Sequence, residues 1–181
     1  MKLADNTELI HVLTSGGAAV VRTDTLYGLV ACADNQTAVE LVYTIKNRDP
    51  RKSCIILIDA PDSVYGLSKE SVSHIKSHTD QPTSFLLDGN GAPQWLLRQN
   101  SELAYRIPAD EDFRNLLAKT GPLIAPSANP EGMPPARSIQ QAKDYFGNRV
   151  DIYVDGGVVP IDTPPSRLLR IHADGRMEQL R

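Results

Sequence analysis

Cysteine is nearly missing from this chain: Cys32 and Cys54 are the only two in 181 residues. That count excludes a disulfide framework and a four-cysteine metal site. Each lies in an apolar run, "GLVACA" and "SCIILI", where a small buried thiol is the plain reading. No apolar stretch approaches the roughly 18 residues of a membrane span. No charged-then-apolar leader opens the chain either, so the expectation is a soluble, cytoplasmic protein with no membrane partner. Positive charge is not in excess. Against 22 Asp and Glu stand 19 Lys and Arg, giving a net charge of −3 and a pI of about 5.8. There is no overall basic field for nucleic acid, and any polyanion must meet a local patch.

Familiar site motifs are also lacking. There is no G-x-x-x-x-G-K-[ST] phosphate cradle and no G-x-S-x-G nucleophile elbow, and "GNG" at 89–91 is not a dinucleotide fingerprint. His74 and His78 have the i, i+4 spacing of helical zinc ligands, but no Glu follows His74 and no third ligand offers itself. Asp110-Glu111-Asp112 reads as a helix N-terminus favoured by the dipole. No repeat, low-complexity tract or linker appears, so the expectation is one domain over 1–181.

What is present is an ordinary globular composition, 41% apolar and 23% charged, with periodic segments in alternation. Asp5 and Glu8 resemble a capping box ahead of Leu9, Ile10, Val12 and Leu13, and Gly16-Gly17 stops that helix. "AAVVR" reads as a buried strand ending near Arg22. A helix capped by Asn35 follows, with Ala38, Val39, Leu41, Val42 and Ile45 on one face. "CIILI" (54–58), "TSFLL", "LAYRI" (103–107), "PLIAP" and "DIYV" read as strands, and helices are expected over about 68–76, around Phe113–Leu117 and after Ser138. "SRLLRIH-ADG-RMEQL" closes the chain as a hairpin. The pattern predicts an α/β fold on a mixed sheet.

Ligands of α/β sheets gather at strand ends, which directs attention to three segments. Thr23-Asp24-Thr25 and Leu26-Tyr27-Gly28 follow the first strand; a turn satisfying its own backbone accounts for them as well as a binding loop does. Lys46, Arg48, Arg51 and Lys52 fall within seven residues. The macrodipole accounts for Lys46 at a helix end, whereas Arg48 and Lys52 lie past it, where a phosphate chain would suit a guanidinium fork and a mobile ammonium. In "APSANPEGMPPA", Ser127 and Asn129 are alternate residues of an extended chain and point the same way; a Pro-bounded loop is the other reading. Ser84, Ser166 and Arg167 are further polar candidates.

In order and spacing, "TDTLYGL", "KNR…K", "PTSFLL", "LAYRIP" and "GPLIAPSANPEGMPPA" with its S-x-N resemble the YrdC/Sua5 family of threonylcarbamoyl-adenylate synthases, in its short single-domain bacterial (TsaC-type) form. The resemblance implies a twisted, open mixed sheet with flanking helices and a positively lined cleft. It implies a nucleotidyltransferase that joins L-threonine, bicarbonate or CO₂, and ATP into threonylcarbamoyl-AMP and pyrophosphate. The product then passes to a tRNA threonylcarbamoyl-transferase complex for modification of adenosine 37. Mg²⁺ is expected to travel with ATP on phosphate and water, with no dedicated metal ligands on the protein. Carried over by position, Lys46 and Arg48 are catalytic and hold carbamate and phosphates; Lys52, Ser127, Asn129, Ser166 and Arg167 complete the ATP site. Thr25, Tyr27 and Ser84 make the threonine pocket. Departures from the family pattern stand at Arg22, at Ser53-Cys54 and at Ser166-Arg167-Leu168. They leave room for a YciO-like paralogue, an RNA-binding or ribosome-assembly protein with weak RNA binding in the same cleft.

Overall fold

The computed structural model describes residues 2–63, 65, 75, 82–164, 166–172 and 174–180. Among the described residues are five α-helices and nine strands, most of which follow from local signals in the chain. Helix α1 (Thr7–Thr14) is capped by Asn6, whose side chain accepts from the Leu9 N–H, one residue later than the Asp5 cap that the sequence predicts. Both side chains are short acceptors; at position 6 the acceptor lies three residues ahead of the free Leu9 N–H, where an N-cap reaches. Helix α2 (Gln36–Lys46) is capped by Asn35 as expected, accepting from Ala38 N. Helix α3 (Gln94–Leu97) is a single turn that the sequence pattern does not announce. Asp110 caps α4 (Glu111–Thr120), which ends at Gly121 with φ of +77°. Ser138 caps α5 (Ile139–Phe146). Apart from Ile75, a buried helical residue, the helix expected over 68–76 lies outside the described residues, as do His74 and His78.

The strands are β1 (Ala19–Arg22), β2 (Tyr27–Cys32), β3 (Ile56–Leu57), β4 (Thr83–Asp88), β5 (Glu102–Arg106), β6 (Leu123–Ile124), β7 (Ile152–Tyr153), β8 (Arg167–Ile171) and β9 (Met177–Gln179). They form one sheet in the order β7-β1-β2-β6-β3-β5-β4-β8-β9. Pairs β1–β7, β3–β5 and β4–β8 are parallel and the others antiparallel, which is the mixed α/β sheet expected. Strand β2 is the one that sequence reading missed. "YGLVAC" is buried on both faces, so it lacks the period-two alternation that marks a half-exposed strand.

Alternate residues feed two apolar layers. Val20, Leu29, Ala31, Ile56 and Ile58 face the layer that includes Val39 and Val42 of α2 and Phe146 of α5. Ala19, Val21, Val30 and Leu57 face the other, built with Leu9 and Leu13 of α1 and Phe113, Leu116 and Leu117 of α4. Among the described residues no helix is long and apolar enough to cross a membrane.

Candidate active site

The sheet brings distant segments to one end. Because β6 runs antiparallel to both β2 and β3, the chain leaving β6 lies beside the start of β2 and the approach to β3. The close approach is seen in the bridge between Gly28 and Ser127. A cleft of about 430 Å³ opens there. Thr23, Thr25 and Tyr27 line one side, Arg48 and Ser53 another, with Arg106, Ser127 and Ser166 completing the polar wall.

Lys46 is the last residue of α2 and is only 3% exposed. Its Nζ donates to Ser127 O at 2.8 Å, Asn129 O at 2.6 Å and Asn129 Oδ1 at 3.1 Å. Three N–H donors thus meet three oxygens of the S-x-N loop, none of them a carboxylate. Burial, with Arg48 nearby as a second cause, pushes this amine down to about 8. Asn47 then takes a left-handed φ of 51°, which closes the helix and turns the chain, so the next side chain, Arg48, borders the cleft. The guanidinium is held by Ser53 O, 2.7 Å from Nη2.

The S-x-N loop is braced from inside. Ser127 Oγ donates to Asn129 Oδ1 at 2.6 Å, and Asn129 Nδ2 donates to Pro130 O and Met133 O at 2.9 and 2.7 Å. Ser127 borders the cleft and Asn129 stands behind it. Lys52 is at the rim, 57% exposed, and pairs with Glu131 at 2.5 Å.

On the opposite wall Thr25 Oγ1 lies 3.3 Å from Thr23 Oγ1 and accepts from Arg106 Nη1 at 3.4 Å. Tyr27 borders the cleft, but its hydroxyl faces the Asp155–Gly157 turn, accepting from Gly156 N at 2.9 Å and donating to Gly157 O at 2.8 Å. Ser84 is fully buried one layer behind Ser166, their Oγ atoms 2.9 Å apart. Arg167 directs its guanidinium to Thr83 Oγ1, 3.0 Å from Nη2, away from the described lining.

So Thr25, Tyr27, Arg48, Ser127 and Ser166 meet in one hollow, Lys46, Asn129 and Ser84 stand directly behind its wall, and Lys52 and Arg167 lie outside it. One charged wall group carries no site role in the sequence reading. Arg106, at the end of β5, forms an ion pair with Asp24 at 2.9 Å, both side chains 6% exposed. A cation ending a buried apolar strand, "LAYR", was the available signal. Among the described residues no group of three His, Cys, Asp or Glu side chains is placed to hold a metal ion.

Comparison with known proteins shows the family and the fold. A family model described as Sua5_yciO_yrdC, telomere recombination, matches residues 11–181. A threonylcarbamoyl-AMP synthase of Marinobacter nauticus is 31% identical over 168 residues, 89% of this chain and 88% of that one. Another, from Coxiella burnetii, is 29% identical over 163 residues, 87% and 88% of the two chains. Among solved structures, P. abyssi Sua5 aligns with a TM-score of 0.83 at 24% identity over 95% of this chain. This chain spans only 51% of that protein. E. coli YciO aligns with a TM-score of 0.80 at 19% identity, covering 96% of this chain and 86% of that one. At these identities the two structures speak for the fold. The chain belongs to the Sua5/YciO/YrdC family.

Proposed function

We propose that this protein is an L-threonylcarbamoyladenylate synthase, a nucleotidyltransferase acting as one YrdC-like domain. The observation that carries the reading is the convergence of Lys46 and Arg48 with the Ser127–Asn129 loop at a single cleft. The curated relatives bear that enzyme name over nearly their whole length, which supports the same substrates here.

The threonine amine captures CO₂ and sheds a proton to become a carbamate. A carbamate oxygen then attacks the α-phosphorus of ATP, and the bond to the β-phosphate breaks as pyrophosphate leaves. No protein nucleophile is needed; two anions must be held together while charge moves onto the leaving group. Arg48 offers a planar fork on the cleft wall for carboxylate or phosphate oxygens. Lys46 fixes the S-x-N loop and lends its charge from behind, while Ser127 and Ser166 offer hydroxyls. Thr25 and Tyr27 shape the opposite wall, where threonine fits. The donor set of the cleft, hydroxyls and guanidinium without a carboxylate cluster, does not fit a resident metal cage. A divalent cation would arrive on the nucleotide, held by phosphate and water, so no step is assigned to it.

A positively lined cleft, cytoplasmic residence and delivery of the labile adenylate to a tRNA threonylcarbamoyl-transferase complex complete the proposal. It is tested by incubating the protein with ATP, L-threonine and labelled bicarbonate and looking for a labelled adenylate by mass spectrometry. Formation of that product, abolished in Arg48→Ala, is expected. Absence of the product from the intact protein, or normal turnover in Arg48→Ala, refutes the reading.

A further inference from the structure

The cation loop between α2 and β3 already grips an anion of its own. Glu131 Oε2 accepts from the Asp49 N–H at 2.5 Å and Oε1 accepts from Lys52 Nζ at 2.5 Å. We propose that the Glu131 carboxylate occupies an anion-binding site of this loop, and that a phosphate group of an incoming polyphosphate displaces it. The proposal rests on the nucleotide reading above and adds to it a competitor built into the chain.

The contacts are those a phosphate makes: two oxygens, one on a backbone N–H and one on an ammonium. Other acidic groups of the loop do not explain them, because Asp49 spends its carboxylate on the N, Nε and Nη2 of Arg51. Lys46 differs in kind, since its ammonium meets uncharged oxygens and keeps its charge available to a ligand. Lys52, like Arg51 with Asp49, is a cation whose charge a carboxylate cancels. The Glu131 side chain is 28% exposed, so it can swing outward without opening the core. Its backbone stays docked when it does, through Glu131 N donating to Lys46 O at 3.0 Å. Arg48, one residue before the Asp49 N–H, and Ser53, one residue after Lys52, line the cleft, so this site adjoins its wall.

Inorganic tripolyphosphate, titrated calorimetrically into the full chain at low ionic strength, tests this without any turnover. Glu131→Gln is expected to bind it about three- to tenfold tighter than the unaltered protein, since a competing charge has gone. Glu178→Gln makes the same charge change on edge strand β9 and leaves the affinity unchanged. In a Lys52→Ala background the gain from Glu131→Gln shrinks to less than about twofold, because the two side chains act as one unit. Thermal melts confirm that each variant is folded. Equal or weaker binding by Glu131→Gln, an undiminished gain without Lys52, or no binding by any variant overturns the proposal. The two readings fail separately. Tripolyphosphate affinities in the expected order, without adenylate formation, sink the synthase reading alone; adenylate formation with the same KM for ATP in Glu131→Gln sinks the built-in competitor alone.

Discussion

Lys46 is an ammonium with every donor filled, enclosed at the end of α2, and its situation sets opposite pH trends for the empty and the loaded protein. Burial lowers its proton affinity to about 8, against 10.5 for an ordinary lysine. Between those values the folded chain has begun to lose a proton that the unfolded chain still holds. Stability of the empty protein therefore gains from Lys46 as pH rises through that window. Nucleotide affinity moves the other way, because a neutral amine no longer attracts phosphate. The expected outcome is a falling affinity for a non-hydrolysable ATP analogue from pH 8 to 10, while the unfolding midpoint rises relative to Lys46→Met. Binding is the readout, since turnover also follows the threonine amine. Parallel trends for Lys46→Met and the unaltered protein would show that another group titrates. The Met variant also takes a donor from three loop oxygens; Ser127 O keeps the Asn129 N–H and Asn129 Oδ1 keeps the Ser127 hydroxyl, so the cost is that of Asn129 O, about 1–3 kcal/mol in stability.

At the scale of elements, the turn after α2 decides which way two cations point. Asn47 takes φ of 51°, a region that Asn tolerates and a β-branched residue does not. Asn47→Val is expected to lose about 1–2 kcal/mol, lowering the unfolding midpoint by about 2–8 °C, and to raise the KM for ATP. Asn47→Gly keeps the geometry and stays close to the unaltered protein in both measurements. An unchanged KM in Asn47→Val would mean that the turn does not aim Arg48. Elements of this kind were legible in the sequence where their cause is local. The caps Asn35, Asp110 and Ser138 each bond to a backbone N–H three residues on, and the sequence shows that spacing. The cap of α1 was misplaced from Asn6 to Asp5 because two short acceptors stand side by side. Strand "CIILI" is trimmed to Ile56–Leu57, since its ends pair only where β5 and β6 overlap it, a matter of neighbours far along the chain. Long-range pairing also hid the purpose of several polar residues. Tyr27, Lys52 and Arg167 were readable as polar residues in family-like motifs, but nothing in their surroundings in sequence says that their polar groups bind Gly156, Glu131 and Thr83.

Across the whole molecule, Asp24 and Arg106 do what neither segment announces alone. Asp24 lies in the β1–β2 turn and Arg106 at the end of β5, with β6 and β3 between β2 and β5 in the sheet. Their ion pair, 2.9 Å long and almost without solvent, clamps the two sides of the cleft. Desolvating both charges offsets most of their attraction, so the pair adds little net stability while making either partner costly to remove. Asp24→Asn is expected to lose about 3–5 kcal/mol because it takes a carboxylate away from a buried guanidinium. Arg106→Met should lose a similar amount, leaving a buried carboxylate. In the double variant both charges are gone, and the loss should fall well short of the sum of the singles, with a coupling of about 1–3 kcal/mol. Urea unfolding of the four proteins measures this cycle. Repeating it at high salt separates the clamp from surface pairs such as Lys52–Glu131, which screening weakens while leaving the buried pair nearly untouched. Additive losses, or a coupling that disappears in salt, would place the two charges in solvent rather than in the wall of the cleft. The same variants should also lose the rise in unfolding midpoint that the proposed substrates ATP and threonine are expected to give the intact protein, because a cleft whose walls are no longer tied together does not present Thr25 and Ser127 at a fixed separation.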